Sequence, residues 1–156
     1  MLMLHQHIIR SFIALFIATL LLCGIVSYVA IQHDNMEHYQ SRLESHIQIL
    51  VRELPEMDDL NAFAKRFKEA TQIRFTLIDA KGAVVADSDH DKETMDNHLH
   101  REEILKSEKT PFGTSSRFSD TLGSTLLYVA HRFSMHDQTY FLRLAINIDT
   151  IMHNFY

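Results

Sequence analysis

The pattern of apolar and polar positions changes character twice along the chain. Residues 11–31 are an unbroken run without a charged side chain. At helical rise such a run matches the hydrocarbon thickness of a bilayer, which predicts a transmembrane helix over 11–31. Beyond it, Met36, Leu43, Leu50 and Met57 recur every seven residues, with Ile47 and Leu54 between them. This is a partial coiled-coil seam on a helix over 33–57, with His33 and Gln40 at its weaker positions. The seam has two readings: a helix packed on its own domain, or a dimer contact continuing from the membrane. The two coexist if the membrane-near half pairs and the distal half packs. Pro55 ends the helix, and Asp58 or Asp59 caps a second one running to Thr71, with Leu60, Phe63, Ala64 and Phe67 on its apolar face.

The period then switches from 3.6 to 2. Strands are predicted over 74–79 and 83–87, joined by the turn Ala80-Lys81-Gly82. A polar stretch over 88–96 and a short helix over 101–107 follow. Further strands fall at 113–119, 125–133 and 139–146, with turns at Leu122-Gly123-Ser124 and Met135-His136-Asp137. The fold class is α+β: an N-terminal transmembrane helix continuing into a long helix, then a five-stranded antiparallel sheet with helices on one face. Ile151, Met152 and Phe155 fall on one side of a helix starting at 149, as in a chain cut before a second span.

Charge refines the picture. Arg10 is the only charged residue in the first 31, so the rest carries 14 basic against 20 acidic side chains, a net charge of −6. Nucleic acid is therefore not an expected partner, since no basic surface is available for phosphate backbones. Arg10 before the apolar run, and Asp34 and Glu37 after it, put 1–10 in the cytoplasm and the domain 32–148 outside, by the positive-inside rule. Tyr28-Val29-Ala30 offers a poor cleavage site and the apolar run is longer than a usual signal core, so the run is read as an anchor rather than a removable signal. The one cysteine, Cys23, lies in the run, which leaves no disulfide for the domain.

Residues 74–132 carry an ordered set of short motifs. They are Arg74-Phe75-Thr76-Leu77-Ile78-Asp79, Gly82-Ala83-Val84-Val85-Ala86-Asp87-Ser88, Met95-Asp96-Asn97-His98 and Arg101-Glu102-Glu103-Ile104. Then come Gly113, Ser116-Arg117-Phe118-Ser119, Thr121-Leu122-Gly123 and Leu127-Tyr128-Val129-Ala130. In this order they resemble the extracytoplasmic sensor domain of bacterial two-component histidine kinases, of the phosphate-regulon and cell-wall type. The resemblance implies a PAS-like (Cache) domain between two membrane helices, reporting to cytoplasmic kinase modules. The 156 residues contain no phosphoacceptor segment and no Gly-rich nucleotide lid, so the expectation is the non-enzymatic N-terminal portion of such a kinase, on the bacterial cell membrane. The alternatives are the same module in a chemoreceptor or cyclic-dinucleotide enzyme, or a stand-alone membrane-anchored envelope binding protein. A homodimer through the membrane-proximal helix is expected, with a small ligand or an envelope protein as the signal.

Asp87, Ser88, Asn97, His98 and Arg101 match the motifs and fall between the second and third strands. Arg101 can bind a carboxylate or phosphate, with Asn97 and His98 as further donors. The alternative is structural: Asp87 and Ser88 cap a turn, and Asn97, His98 and Arg101 knit the loop onto the sheet. His98 and His100, with Asp89, His90, Asp91 and Asp96 nearby, are weak candidates for zinc, since their spacing matches no closed site. No cofactor is expected, and no catalytic constellation is visible: Ser115 and Ser116 lack a nucleophile-elbow setting.

Overall fold

The computed structural model describes residues 2–119 and 124–148, with side chains for 9–30, 36–118 and 124–148. Its contacts divide the chain into two compact units, Met1–Tyr39 and Gln40–Tyr156. Helix α1, Leu2–Glu53, begins in the first and ends in the second.

In the first unit, Ile9–Ala30 is 22 residues long with a mean hydropathy of 2.5, long and apolar enough to cross a membrane. None of it is buried, and Phe12, Leu15 and Phe16 are each more than 60 % exposed. The Thr19 hydroxyl donates to the Phe16 carbonyl at 2.8 Å, which satisfies it within the helix.

In the second unit, α1 buries Leu43, Ile47 and Leu50 on one stripe, continued by Leu54. This stretch of the heptad seam is spent on the domain's own core. The helix ends at Glu53, four residues before the expected Met57, because Pro55 restricts the preceding residue and the chain tightens into a 3-10 turn, Leu54–Glu56. Helix α2, Leu60–Thr71, starts where Asp59 accepts the Ala62 N–H at 3.0 Å. It stops at Gln72, in the left-handed region, whose N–H closes on the Lys68 carbonyl.

The sheet contains β1 Arg74–Asp79, β2 Val84–Asp87, β3 Gly113–Ser119, β4 Ser124–Met135 and β5 Gln138–Asn147. It is antiparallel throughout, in the order β2-β1-β5-β4-β3. Two tight turns fix its register. Gly82, at φ 85°, closes β1 onto β2; a Cβ there would collide with Asn97 and Leu99. His136 and Asp137, both at positive φ, form the two-residue loop between the paired Met135 and Gln138. β4 and β5 extend beyond the expected 125–133 and 139–146, because this tight loop lets the ladder run to its end. Leu122 and Gly123 of the expected turn, and the helix expected over 149–156, lie outside the described residues.

Helices cover both faces of the sheet, not one as expected. Phe63 and Phe67 of α2 pack on Phe75 of β1, and His46 of α1 meets Phe67. On the opposite face, helix α3, Glu102–Ser107, drops Ile104 onto Ile78, Ala130 and Phe141. The physical reason is strand alternation: Leu77 and Ile78 are both fully buried but point to opposite faces, so each face needs its own cover. Gly113 permits that cover. A Cβ at this position would collide with the Glu103 carbonyl and the Ser107 N–H.

A guanidinium-lined candidate site

The α3 face of the sheet is apolar at one end and charged at the other. Register puts Thr76 opposite both Asp87 and Arg143, Arg74 opposite Ala145, and Ser115 opposite Tyr128. These side chains therefore share a face with Arg117, two residues along β3 from Ser115. The connection from β2 to α3, residues 88–101, passes over them. Between sheet and connection lies an open cleft of about 350 Å³. The strands supply Arg74, Arg117, Tyr128 and Arg143 to its wall, and the connection supplies His90, Thr94, Met95, Asp96, His98 and Arg101.

Two buried carboxylates behind this wall hold the strand arginines. Glu103, fully buried on α3, accepts Arg117 Nη2 at 3.1 Å, Arg143 Nη1 at 3.2 Å and the Ser115 hydroxyl at 2.7 Å. Asp87, at the end of β2, takes a forked contact from Arg74 at 3.1–3.3 Å. It also accepts the Thr76 hydroxyl at 2.7 Å and the N–H groups of Asp89 and His90 at 2.8 and 3.0 Å. Arg143 joins the two clusters, since its Nη2 donates to Thr76 Oγ1 at 3.2 Å. A continuous polar chain thus runs Arg117–Glu103–Arg143–Thr76–Asp87–Arg74 across four strands and α3. Arg117 and Arg143 also stand over the Tyr128 ring, 4.3 and 5.3 Å from its centroid, in cation–π range.

The titration behaviour follows from these contacts. Burial alone pushes Asp87 up, but Arg74, the Asp89 and His90 N–H groups and the Thr76 hydroxyl hold it below the usual carboxylate value. Burial likewise opposes Glu103, which the Ser115 hydroxyl, a backbone bond, Arg143 and Arg117 bring below its usual value. Burial, and then Arg74, lower Arg143 against the pull of Glu103. His98 is lowered by burial, then by Arg143, Arg101 and Arg74, against a bond to the Asp96 carbonyl.

Two groups have donors to spare. Arg143 is 2 % exposed, yet its Nε has no hydrogen-bond partner. Arg101, half-buried before α3, has no ion pair or side-chain hydrogen bond among the described residues.

Of the five residues singled out from sequence, His98 and Arg101 line the cleft. Asp87 lies one layer behind, as the counter-charge of Arg74. Ser88 is turned to the backbone, accepting the Phe75 N–H at 3.0 Å and donating to Asp89. Asn97 donates to the Lys81 carbonyl at 2.7 Å and accepts the Leu99 N–H, which fastens the connection to the β1–β2 turn. His98 and His100 do not share a site: His100 is exposed and outside the cleft wall. Among the described residues, no three His, Cys, Asp or Glu side chains gather within reach of one ion.

Sequence reasoning missed Arg74, Arg117, Arg143 and Glu103. The available signal was Arg143, a single charge inside Tyr140-Phe141-Leu142-Arg143-Leu144-Ala145-Ile146. A charge at the centre of an apolar strand demands a buried partner, and marks a polar site on that face.

No protein-family model matches the chain, and no curated protein matches it in sequence. Among solved structures, it is similar to the ligand-binding domain of the Campylobacter jejuni chemoreceptor Tlp3, solved in complex with 4-methylisoleucine. The TM-score is 0.60 at 9 % identity, over 76 % of this chain and 55 % of that one. The chain thus spans about half the length of that domain, and what the two share is a fold.

Proposed function

We propose that the chain is the membrane-anchored, extracytoplasmic sensor domain of a bacterial signalling receptor, and the N-terminal portion of a two-component histidine kinase. The observation that carries this reading is the cleft on the α3 face: a polar, arginine-rich wall with one unsatisfied buried donor, Arg143 Nε, on a fold shared with a receptor's ligand-binding domain. A wall of this kind costs folding stability unless something occupies it, which is what a binding site requires. The membrane-length helix Ile9–Ala30 supports anchoring, and Arg10 at its start supports an outward-facing domain. The motif order in 74–132 supports a kinase output. In this reading the chain itself performs no catalysis. A ligand acts by its differential affinity for two arrangements of the domain, and α1 carries the difference to the membrane. Pairing of two copies along the membrane-proximal part of α1 belongs to the same proposal.

The test is sidedness. Alkaline phosphatase fused to the C-terminus of the chain, expressed in a bacterium, is expected to be active, and green fluorescent protein at the same point dark. The reverse pattern puts the domain in the cytoplasm and overturns the reading.

A further inference from the structure

We infer that the cleft binds a small anion bearing at least two negative charges and no ammonium group: a multiply charged carboxylate or a phosphate. This rests on the sensor reading and gives that site its ligand class.

Charge is the first argument. Four guanidiniums line the cleft, and only two buried carboxylates stand behind them, Asp87 and Glu103. Asp96, the single carboxylate in the wall itself, is exposed to water. Against the two buried carboxylates two cationic charges are left, screened in part by Asp96 at the rim, and this favours an anion of more than one charge.

Unsatisfied donors are the second argument. Arg143, which lines the cleft and whose Nη groups are both engaged, keeps a buried Nε without a partner. Arg101, without an ion pair among the described residues, presents its guanidinium from the other wall. Guanidinium forks suit the paired oxygens of carboxylate and phosphate, and a buried N–H left open is costly until an acceptor arrives.

The third argument disfavours zwitterions. The wall offers an ammonium group the exposed Asp96 but no buried carboxylate. Glu103 is taken by Ser115, Arg117 and Arg143, and Asp87 by Arg74, Thr76 and two backbone N–H groups. Neither faces the cleft. The wall also offers little apolar surface, Met95 and Tyr128 apart, so a branched aliphatic side chain finds no pocket. The volume, about 350 Å³, suits a compact solute.

The experiment is a binding titration of the full chain in detergent micelles at pH 7, followed by melting temperature and calorimetry. Citrate, succinate and inorganic phosphate are the probes, with leucine as the zwitterion and sodium chloride matched for ionic strength. A saturable rise in melting temperature with at least one of the three anions, and none with leucine, is expected. Which anion binds most tightly separates carboxylate from phosphate. Arg101→Ala is expected to weaken binding by about tenfold or more without moving the unliganded melting temperature. Arg101→Lys, which keeps the charge but not the fork, falls between. Saturable leucine binding overturns the ligand class and leaves the sensor reading standing. Failure of all three anions against matched salt, or an Arg101→Ala affinity equal to the parent's, overturns it as well. A cytoplasmic domain in the fusion experiment defeats the sensor reading whatever the titration shows.

Discussion

Arg143 and Thr76, 67 residues apart in the chain, lie directly opposite one another in the β1–β5 register and share a hydrogen bond of 3.2 Å. That bond makes one network out of two buried ion-pair clusters, one on α3 and one at the end of β2. Cooperative satisfaction of this kind is expected to fail as a unit when one member is removed.

Glu103→Gln is the most direct test. The change keeps the shape but leaves Arg143 and Arg117 without their shared anion, one of them in a nearly water-free place. Breaking a buried pair from one side typically costs about 3–5 kcal/mol, and the amide's residual bonds put this case near the lower end. Chemical denaturation checks it. A loss below about 1 kcal/mol is incompatible with Glu103 as the counter-charge.

Acid should unfold the domain through the same carboxylates. Asp87 and Glu103 titrate below their ordinary values when folded, so the unfolded chain takes up protons first as pH falls. Their contribution is complete above the unfolded carboxylate range, about pH 4–5, and is lost as pH drops through the folded values. Denaturation between pH 7 and pH 3 is expected to show this loss, with a smaller acid slope in Asp87→Asn. A parent stability that is flat to pH 3 contradicts it.

His98 gives the site a second, milder pH response. It is held below its ordinary value by burial and by Arg143, Arg101 and Arg74, against the Asp96 carbonyl, and His90 shares the same wall. The unfolded chain protonates near pH 6.5 while the folded chain does not, so stability declines as pH falls from there toward the folded value. A bound anion offsets the guanidiniums and raises His98, so binding takes up a fraction of a proton. Calorimetry in two buffers of different ionisation heat should reveal that uptake near pH 6, and His98→Asn should abolish it.

Gly113→Ala tests how α3 is seated. The added methyl meets the Glu103 carbonyl and the Ser107 N–H, both backbone atoms of α3, which cannot rotate away. Overpacking of this sort costs about 1–3 kcal/mol. Because the displaced turn carries Glu103, anion affinity should fall along with the melting temperature. A variant that loses stability but keeps full affinity separates the two effects.

Much of the scaffold was legible in the sequence, because its signals are local. The apolar run, the Asp59 cap, the Gly82 turn and the alternation in 74–79 each depend on near neighbours, and the structure has them within a residue or two. The site was less legible because its pairings are not local. Glu103 finds Arg143 40 residues away, and nothing near either position announces the other. Asn97 and Ser88 take the structural alternative that the sequence also allowed: their side chains bond the backbone of β1 and of the β1–β2 turn. The second cover of the sheet was missed for a related reason. Six residues of α3 are too few for an amphipathic pattern to declare which face they serve.

The cleft's two walls differ in how freely they can change. Each strand arginine is bound to a buried carboxylate, so replacing it strands a charge in the core, and selection should hold those positions nearly fixed. The opposite wall comes from one contiguous stretch, 88–101, pinned to the sheet edge through Asp87 at one end and through Asn97 and the His98 N–H at the other. Between the pins lies an exposed 3-10 turn, Lys92–Thr94, capped by Asp91, where exchange of side chains is expected to cost folding least. The sheet would thus set the valence of what is recognised, and the connection its outline. On the proposed reading, a domain of this fold changes what it binds by rewriting a single loop.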